Sequence, residues 1–406
     1  MHSKDFTRQR LLPFSTMILF LMNLVKGSLQ DELDYFFKAV NGAEVAVREV
    51  TKSAFCRARK KLRHQAFQEL SHTVADLFYR TFSYRTWKGF RVLAIDGSTV
   101  QVPDTSETAG HFGVWNTAAG KPCAVARISQ LVDVVHGSIL DALISPKEVG
   151  ERTLAERHMQ QVTEGDIVLF DRGYPAFWIF ALARAQGAHF CARMATGVWN
   201  VVDTFLERGL KERIIRLKPT RHALKECKQR GLPVRPLKVR LIRIELETGE
   251  TEVLMTSLVN KKEYPKHIFK ELYSLRWGVE EQYKTCKSRL QIENWTGKSI
   301  ESVYQDFSAK VLTLNLTIAI AQPAKEEIEA RSKDKQHPYK LNLTQAISKM
   351  KDVVVLLFKK YNPFGLLKQL YDIFIKMVEP IRPGRRYPRK HRIGRRQYHA
   401  CYKPIR

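Results

Sequence analysis

Few stretches of this 406-residue chain place so many reactive side chains at a helical spacing as "YSLRWGVEEQYKTCKSRL", Tyr273 to Leu290. The offsets from Tyr273 to Arg276, Glu280 and Lys287 are 3, 7 and 14 residues, which at 3.6 residues per turn predicts all four on one stripe of a helix. Beside it, Leu272, Leu275, Val279, Cys286 and Leu290 form an apolar stripe able to seat that helix on a sheet. The polar stripe then looks into a crevice at the margin of the buried face. There Glu280 can hold a metal ion, while Arg276 and Lys287, roughly 6 and 10 Å from it along the axis, can grip phosphates, and Tyr273 can donate a hydrogen bond to one. An exposed, salt-bridged helix is the competing reading, since Glu280 and Lys284 have the favourable i,i+4 order. Gly278 costs the helix about 1 kcal/mol relative to alanine, so something other than propensity must hold it.

Two further acids stand out. Asp96 in "IDGS" and Asp171 in "DRGY" are each expected to end an apolar strand just before a glycine turn, where ligands of open α/β sheets tend to bind. Taken singly, each reads more readily as a turn residue. Side by side they would repel strongly unless a cation held them, and magnesium suits such hard oxygen ligands while keeping positions for phosphate oxygens.

The elements that must position these groups follow from the hydrophobic pattern. Residues 1–82 read as helices, with the basic run Lys52, Arg57, Arg59, Lys60, Lys61 and Arg63 early in a helix that Thr51 caps. That run suits a helix laid on DNA and equally a solvated face. "FRVLAIDGSTVQVPD", "VARISQLVDVV" and "GSILDALISP" read as strands, the last two joined at His136-Gly137. Then follow helix, strand ("GDIVLFDRGYP"), helix and strand ("HFCARMA"), predicting a mixed α/β sheet covered by helices. Residues 197–262 read as β-rich without intervening helices, with a hairpin at Thr248-Gly249, and look like an insertion. Residues 323–338 read as a linker before two helices, 342–360 and 363–378. A tail beginning "RPGRRYPRKHRIGRR" has no acidic residue and is suited to lie along phosphates.

Composition narrows the partner. With 68 Lys+Arg against 41 Asp+Glu, the net charge of +27 favours a polyanion, nucleic acid first among them. The 6 cysteines show no paired framework and the 12 histidines no zinc-ligand spacing, which fits reduced thiols in a cytoplasmic protein. The apolar run Leu11 to Val25 is short for a membrane span and is expected to be a buried helix.

Taken with the aspartate of "IDGS" and "DRGY", the spacing Y-(2)-R-(3)-E-(6)-K, met without a gap by Tyr273, Arg276, Glu280 and Lys287, resembles the DDE transposases of bacterial insertion sequences. The resemblance covers about residues 45–390 and implies a ribonuclease H-like catalytic core (83–196 and 263–322) interrupted by the β-rich insertion (197–262). A helical DNA-binding N-terminal domain (1–82) and a helical C-terminal region with a basic tail (323–406) would flank it. It also implies a metal triad of Asp96, Asp171 and Glu280 holding two Mg2+ ions, with Mn2+ able to substitute. DNA contacts are expected from Tyr273, Arg276, Lys287, Arg172, Arg57, Lys60 and Lys61. Trp199 is the candidate for stacking on a flipped base, as in several such enzymes, although a tryptophan in a strand is more often core. Implied partners are double-stranded DNA, both terminal inverted repeats and target, and a second copy of the chain; no membrane is expected. A structure-selective nuclease on the same fold and a catalytically silent DNA-binding repressor are the alternatives.

Overall fold

The computed structural model describes residues 5–6, 11–116, 122–246, 249–359 and 362–382. The basic tail from Pro383 onward therefore lies outside the described residues, as does Thr248. The chain divides into two compact units. One holds the described residues of Met1–Phe82, Val100–Ala126 and Lys284–Arg406; the other comprises Ser83–Thr99 and Arg127–Tyr283.

The second unit is built on a sheet. Among the described residues nine strands pair in this sheet: β1 (Arg91–Gln101), β2 (Val114–Asn116), β3 (Pro122–Asp133), β4 (Ile139–Ser145), β5 (Asp166–Phe170), β6 (His189–Met194), β7 (Glu212–Leu217), β8 (Leu237–Glu245) and β9 (Thr251–Thr256). Their order is β2-β3-β1-β5-β6-β9-β8-β7, with β4 also on β3. β2 and the adjoining ends of β1 and β3 fall in the first unit. β1, β5 and β6 run parallel, and Ile167 to Phe170 are fully buried, the continuous apolar pattern of a strand covered on both faces. An antiparallel β3–β4 hairpin beyond β1, with Gly137 at φ +80°, completes the mixed α/β sheet that was expected.

Residues 197–262 differ from the expectation. They contain the helices Asn200–Glu207 and Arg221–Gln229, and β7, β8 and β9 extend the core sheet from β6. Both helices are too short for their period to stand out between strands. The first turns Val202 and Phe205 into the core, and the second begins where the Thr220 side chain accepts from the Ala223 N–H. The β8–β9 hairpin does form, with Gly249 at φ +83°.

The first unit is helical. Phe14–Met22, expected to be buried, packs with Phe36, Phe55, Phe67, Leu312, Met350, Val354 and Phe374 in one core. The N-terminal helices thus share their interior with those near the C-terminus. Thr51 caps Lys52–Arg59 as read, but the helix stops there and a new one spans Gln65–Thr81. Arg59 is not part of a basic face. It is 5% exposed and donates to Gln305, Thr296, the Ser302 carbonyl and Asp306, so its charge is spent inside the fold. Arg57, Lys60 and Lys61 are exposed, and Lys61 lies 3.7 Å from Asp5.

The expected linker at 323–338 is corrected as well. Helix Ile300–Arg331 runs through Pro323, because Ala324 and Ile328 continue its buried face beyond the proline. Instead of two helices, three follow among the described residues: Leu343–Met350, Val353–Lys359 and Phe364–Phe374. The first break falls at Asp352, held at φ +65° by reciprocal hydrogen bonds with Asn23.

Candidate active site

The register of the parallel core brings the two aspartates together. Ile95 pairs with Phe170, so Asp96 and Asp171 are the next residues on adjacent strands, and β5 ends there. β1 does not end; it continues to Gln101, and the expected Asp-Gly turn is absent. The Asp96 carboxylate accepts from the Gly97 N–H at 2.8 Å. Its carbonyl accepts from the Tyr283 hydroxyl at 2.6 Å and from Ser129 at 3.3 Å, and Ser129 continues into a buried His158–Asp141 pair. That chain fixes the strand under Asp96.

Glu280 arrives on a segment that is not the single regular helix predicted. Helix Ile268–Ser274 ends in a tight junction, Trp277–Lys284 follows, and Thr285–Arg289 forms a π-helical turn. At the junction Leu275, Arg276, Gly278 and Val279 donate to carbonyls three residues back, which alters the angular step a regular helix would keep. Three contacts pin Trp277–Lys284 to the sheet. A Cβ on Gly278 would stand 3.1 Å from that of Val134, which explains the glycine; Gln282 donates to the Gly137 carbonyl; and Tyr283 reaches Asp96. The apolar stripe is as read, with Leu272, Val279, Cys286 and Leu290 buried and Leu275 partly so.

Arg276 joins the acids. It is 5% exposed, donates to Glu280 Oε1 at 2.8 Å and lies 3.7 Å from Asp96 Oδ2. Its guanidinium therefore faces inward to carboxylates, where the sequence suggested a grip on phosphate. Tyr273 is also buried, its hydroxyl 3.4 Å from both the Asp171 carboxylate and the Phe170 carbonyl. Lys287 sits in the π-helical turn, in the other unit from Glu280. Arg172 is exposed beside Asp171. Trp199 is not in a strand: it caps Asn200–Glu207, half-buried, with its ring 6.2 Å from that of Phe180.

Burial pushes the Asp96 carboxyl up to about 6; the Gly97 N–H and Arg276 oppose this, whereas Asp171 and Glu280 add to it. One guanidinium thus faces two of these three acids. The donor set, hard carboxylate oxygens short of positive charge, suits a divalent cation. Among the described residues, however, no group of three His, Cys, Asp or Glu side chains already converges on one ion position, and Arg276 bridges two of the acids.

A pH test follows. In metal-free protein the ionised Asp96 opposes folding, so wild-type stability should rise as pH falls from above 6 towards 4. Asp96→Asn should be more stable than wild type by on the order of 3 kcal/mol above pH 6.5, the gap closing towards pH 4, as read from urea unfolding in chelator. A gap independent of pH would contradict the strained carboxylate.

Sequence reasoning missed Tyr283 and Gln282, which follow Glu280 closely and face the sheet.

Residues 87–316 match the family model described as the transposase DDE domain. The chain belongs to that family. This transposase is 24% identical over 317 residues to the transposase InsG of insertion sequence element IS4 from Escherichia coli strain K12, covering 76% of its own length and 70% of that protein. It is 21% identical over 346 residues to the transposase of insertion sequence element IS231B from Bacillus thuringiensis subsp. berliner, covering 74% and 70% respectively. Among solved structures, the piggyBac transposase synaptic complex with hairpin DNA overlays with a TM-score of 0.45 and 10% identity, over 91% of this chain and 76% of that one.

Proposed function

We propose that the transposase cuts and joins DNA at the ends of an insertion sequence by a magnesium-dependent cut-and-paste route, with Asp96, Asp171 and Glu280 as its metal-binding acids. The observation that supports this most is the pairing of Ile95 with Phe170, which puts Asp96 and Asp171 side by side, while Arg276 ties Glu280 to Asp96. Bound at these acids, two divalent ions would activate the attacking hydroxyl and stabilise the departing oxygen at the scissile phosphate. The chain's own groups do the rest. Tyr273 orients Asp171, Tyr283 and Gly97 hold Asp96, and Arg276 keeps Glu280 turned towards it. Arg172, Lys287 and the exposed Arg57, Lys60 and Lys61 offer positive charge for the DNA backbone, consistent with the net charge of +27. Trp199 is retained as a candidate base-stacking side chain from the edge of its helix.

The DNA partners are the element's terminal inverted repeats and a target duplex, brought together by two copies of the chain. Among the described residues no helix is long and apolar enough to cross a membrane, and the site of action is the bacterial cytoplasm, at the nucleoid. The test uses duplexes taken from the DNA flanking the coding region, one of them pre-cut to expose a 3′-hydroxyl. With Mg2+ and a target plasmid, joined strand-transfer products are expected. Cutting without joining would instead identify a nuclease, and binding with neither a repressor.

A further inference from the structure

Glu151 lies outside the acids named so far, yet its carboxylate stands next to both aspartate-bearing segments. A Cβ on Gly97, the residue after Asp96, would be 3.3 Å from Glu151 Oε1, and one on Gly173, two residues after Asp171, would be 3.8 Å from Oε2. Those glycines leave the room in which this carboxylate fits. Arg127 on β3 holds it from another side, with Nη1 3.4 Å from Oε1, and the Glu151 side chain remains 45% exposed.

A second observation points into the same place. Tyr174 is 2% exposed, and among the described residues its hydroxyl has no hydrogen-bond partner. That oxygen stands 3.4 Å from the same Gly97 Cβ position that Glu151 Oε1 approaches. A phenol buried this deeply normally finds an acceptor.

We propose that Glu151 is a fourth carboxylate of the active site, lending an oxygen to the divalent ion held by Asp96 and Asp171, while the Tyr174 hydroxyl donates to an oxygen bound there. This rests on the metal-binding reading given above. The competing role is structural: an acid in the first turn of a helix, paired with Arg127, stabilises the helix whether or not metal binds.

Mn2+ binding to the full chain without DNA separates the two. Calorimetric titration of wild type, Glu151→Gln, Asp96→Asn and Asp171→Asn is run alongside urea unfolding in chelator. Glu151→Gln should bind Mn2+ about 10- to 100-fold more weakly while its metal-free unfolding midpoint stays near that of wild type. As a second readout, Fe2+ with ascorbate and peroxide should cut the wild-type backbone near residues 96, 151 and 171, and Glu151→Gln should lose the cut near 151. If Glu151→Gln keeps wild-type affinity and cleavage pattern while the aspartate variants lose Mn2+, Glu151 is structural and the proposal is overturned. If the aspartate variants also bind as wild type, the metal-binding reading itself falls, and this inference falls with it.

Discussion

Replacing Asp96 or Asp171 by Asn, or Glu280 by Gln, is expected to lower strand cleavage at an element end by at least about 10^2-fold, because losing even one preorganised charge-stabilising group typically costs about 10^2 to 10^3 in rate. Each change removes a charge and almost no volume. The Gly97 N–H can still donate to an amide oxygen at position 96, and the segment carrying Glu280 stays pinned through Gly278, Gln282 and Tyr283. End binding should therefore remain within about twofold of wild type, with an unchanged salt slope, since the contacts that set it lie on basic residues elsewhere. Gel-shift and nicking assays on one labelled duplex measure both quantities. Full cleavage by any one of the three variants would remove that residue from the chemistry.

The second large effect concerns Arg276. Arg276→Leu leaves Asp96 and Glu280 facing one another without their shared cation, in a site where Arg276 itself is 5% exposed. Breaking such a pair by removing one partner typically costs about 3–5 kcal/mol. A lower urea midpoint in chelator is thus expected, and Mg2+ should restore much of the loss, because a divalent ion neutralises the same two acids. Wild-type stability in chelator, or a loss that Mg2+ leaves untouched, would show that Arg276 does not hold these acids in place. A phosphate-gripping surface arginine would behave differently: its loss would weaken end binding and spare stability.

That contrast marks where the sequence was legible. The buried strands were plain, because uninterrupted apolar runs such as Ile167–Phe170 belong to strands covered on both faces. The buried Phe14–Met22 helix, the Thr51 cap and the β3–β4 and β8–β9 hairpins were legible for the same kind of local reason. Residue type and spacing could not show that Arg276 turns inward. A four-residue stripe assumes one regular helix, and the junction at Leu275–Arg276 and the π-helical turn after Lys284 both break that assumption. Pro323 misled in the opposite sense, since the pull of Ala324 and Ile328 towards the core outweighed a weak helix former. Glu151 was invisible for a third reason. Its role depends on the space beside Gly97 and Gly173, which only the folded arrangement of β1 and the loop after β5 reveals.

The most direct measurement is a structure of the full chain bound to an element-end duplex in Mn2+, with anomalous scattering recorded at the manganese edge. Peaks within coordination distance of Asp96 and Asp171, with Glu280 completing the set and Arg276 withdrawn from Asp96, are predicted. Manganese held by other side chains, or Glu280 still locked to Arg276 and out of reach of any ion, would contradict a shared metal site.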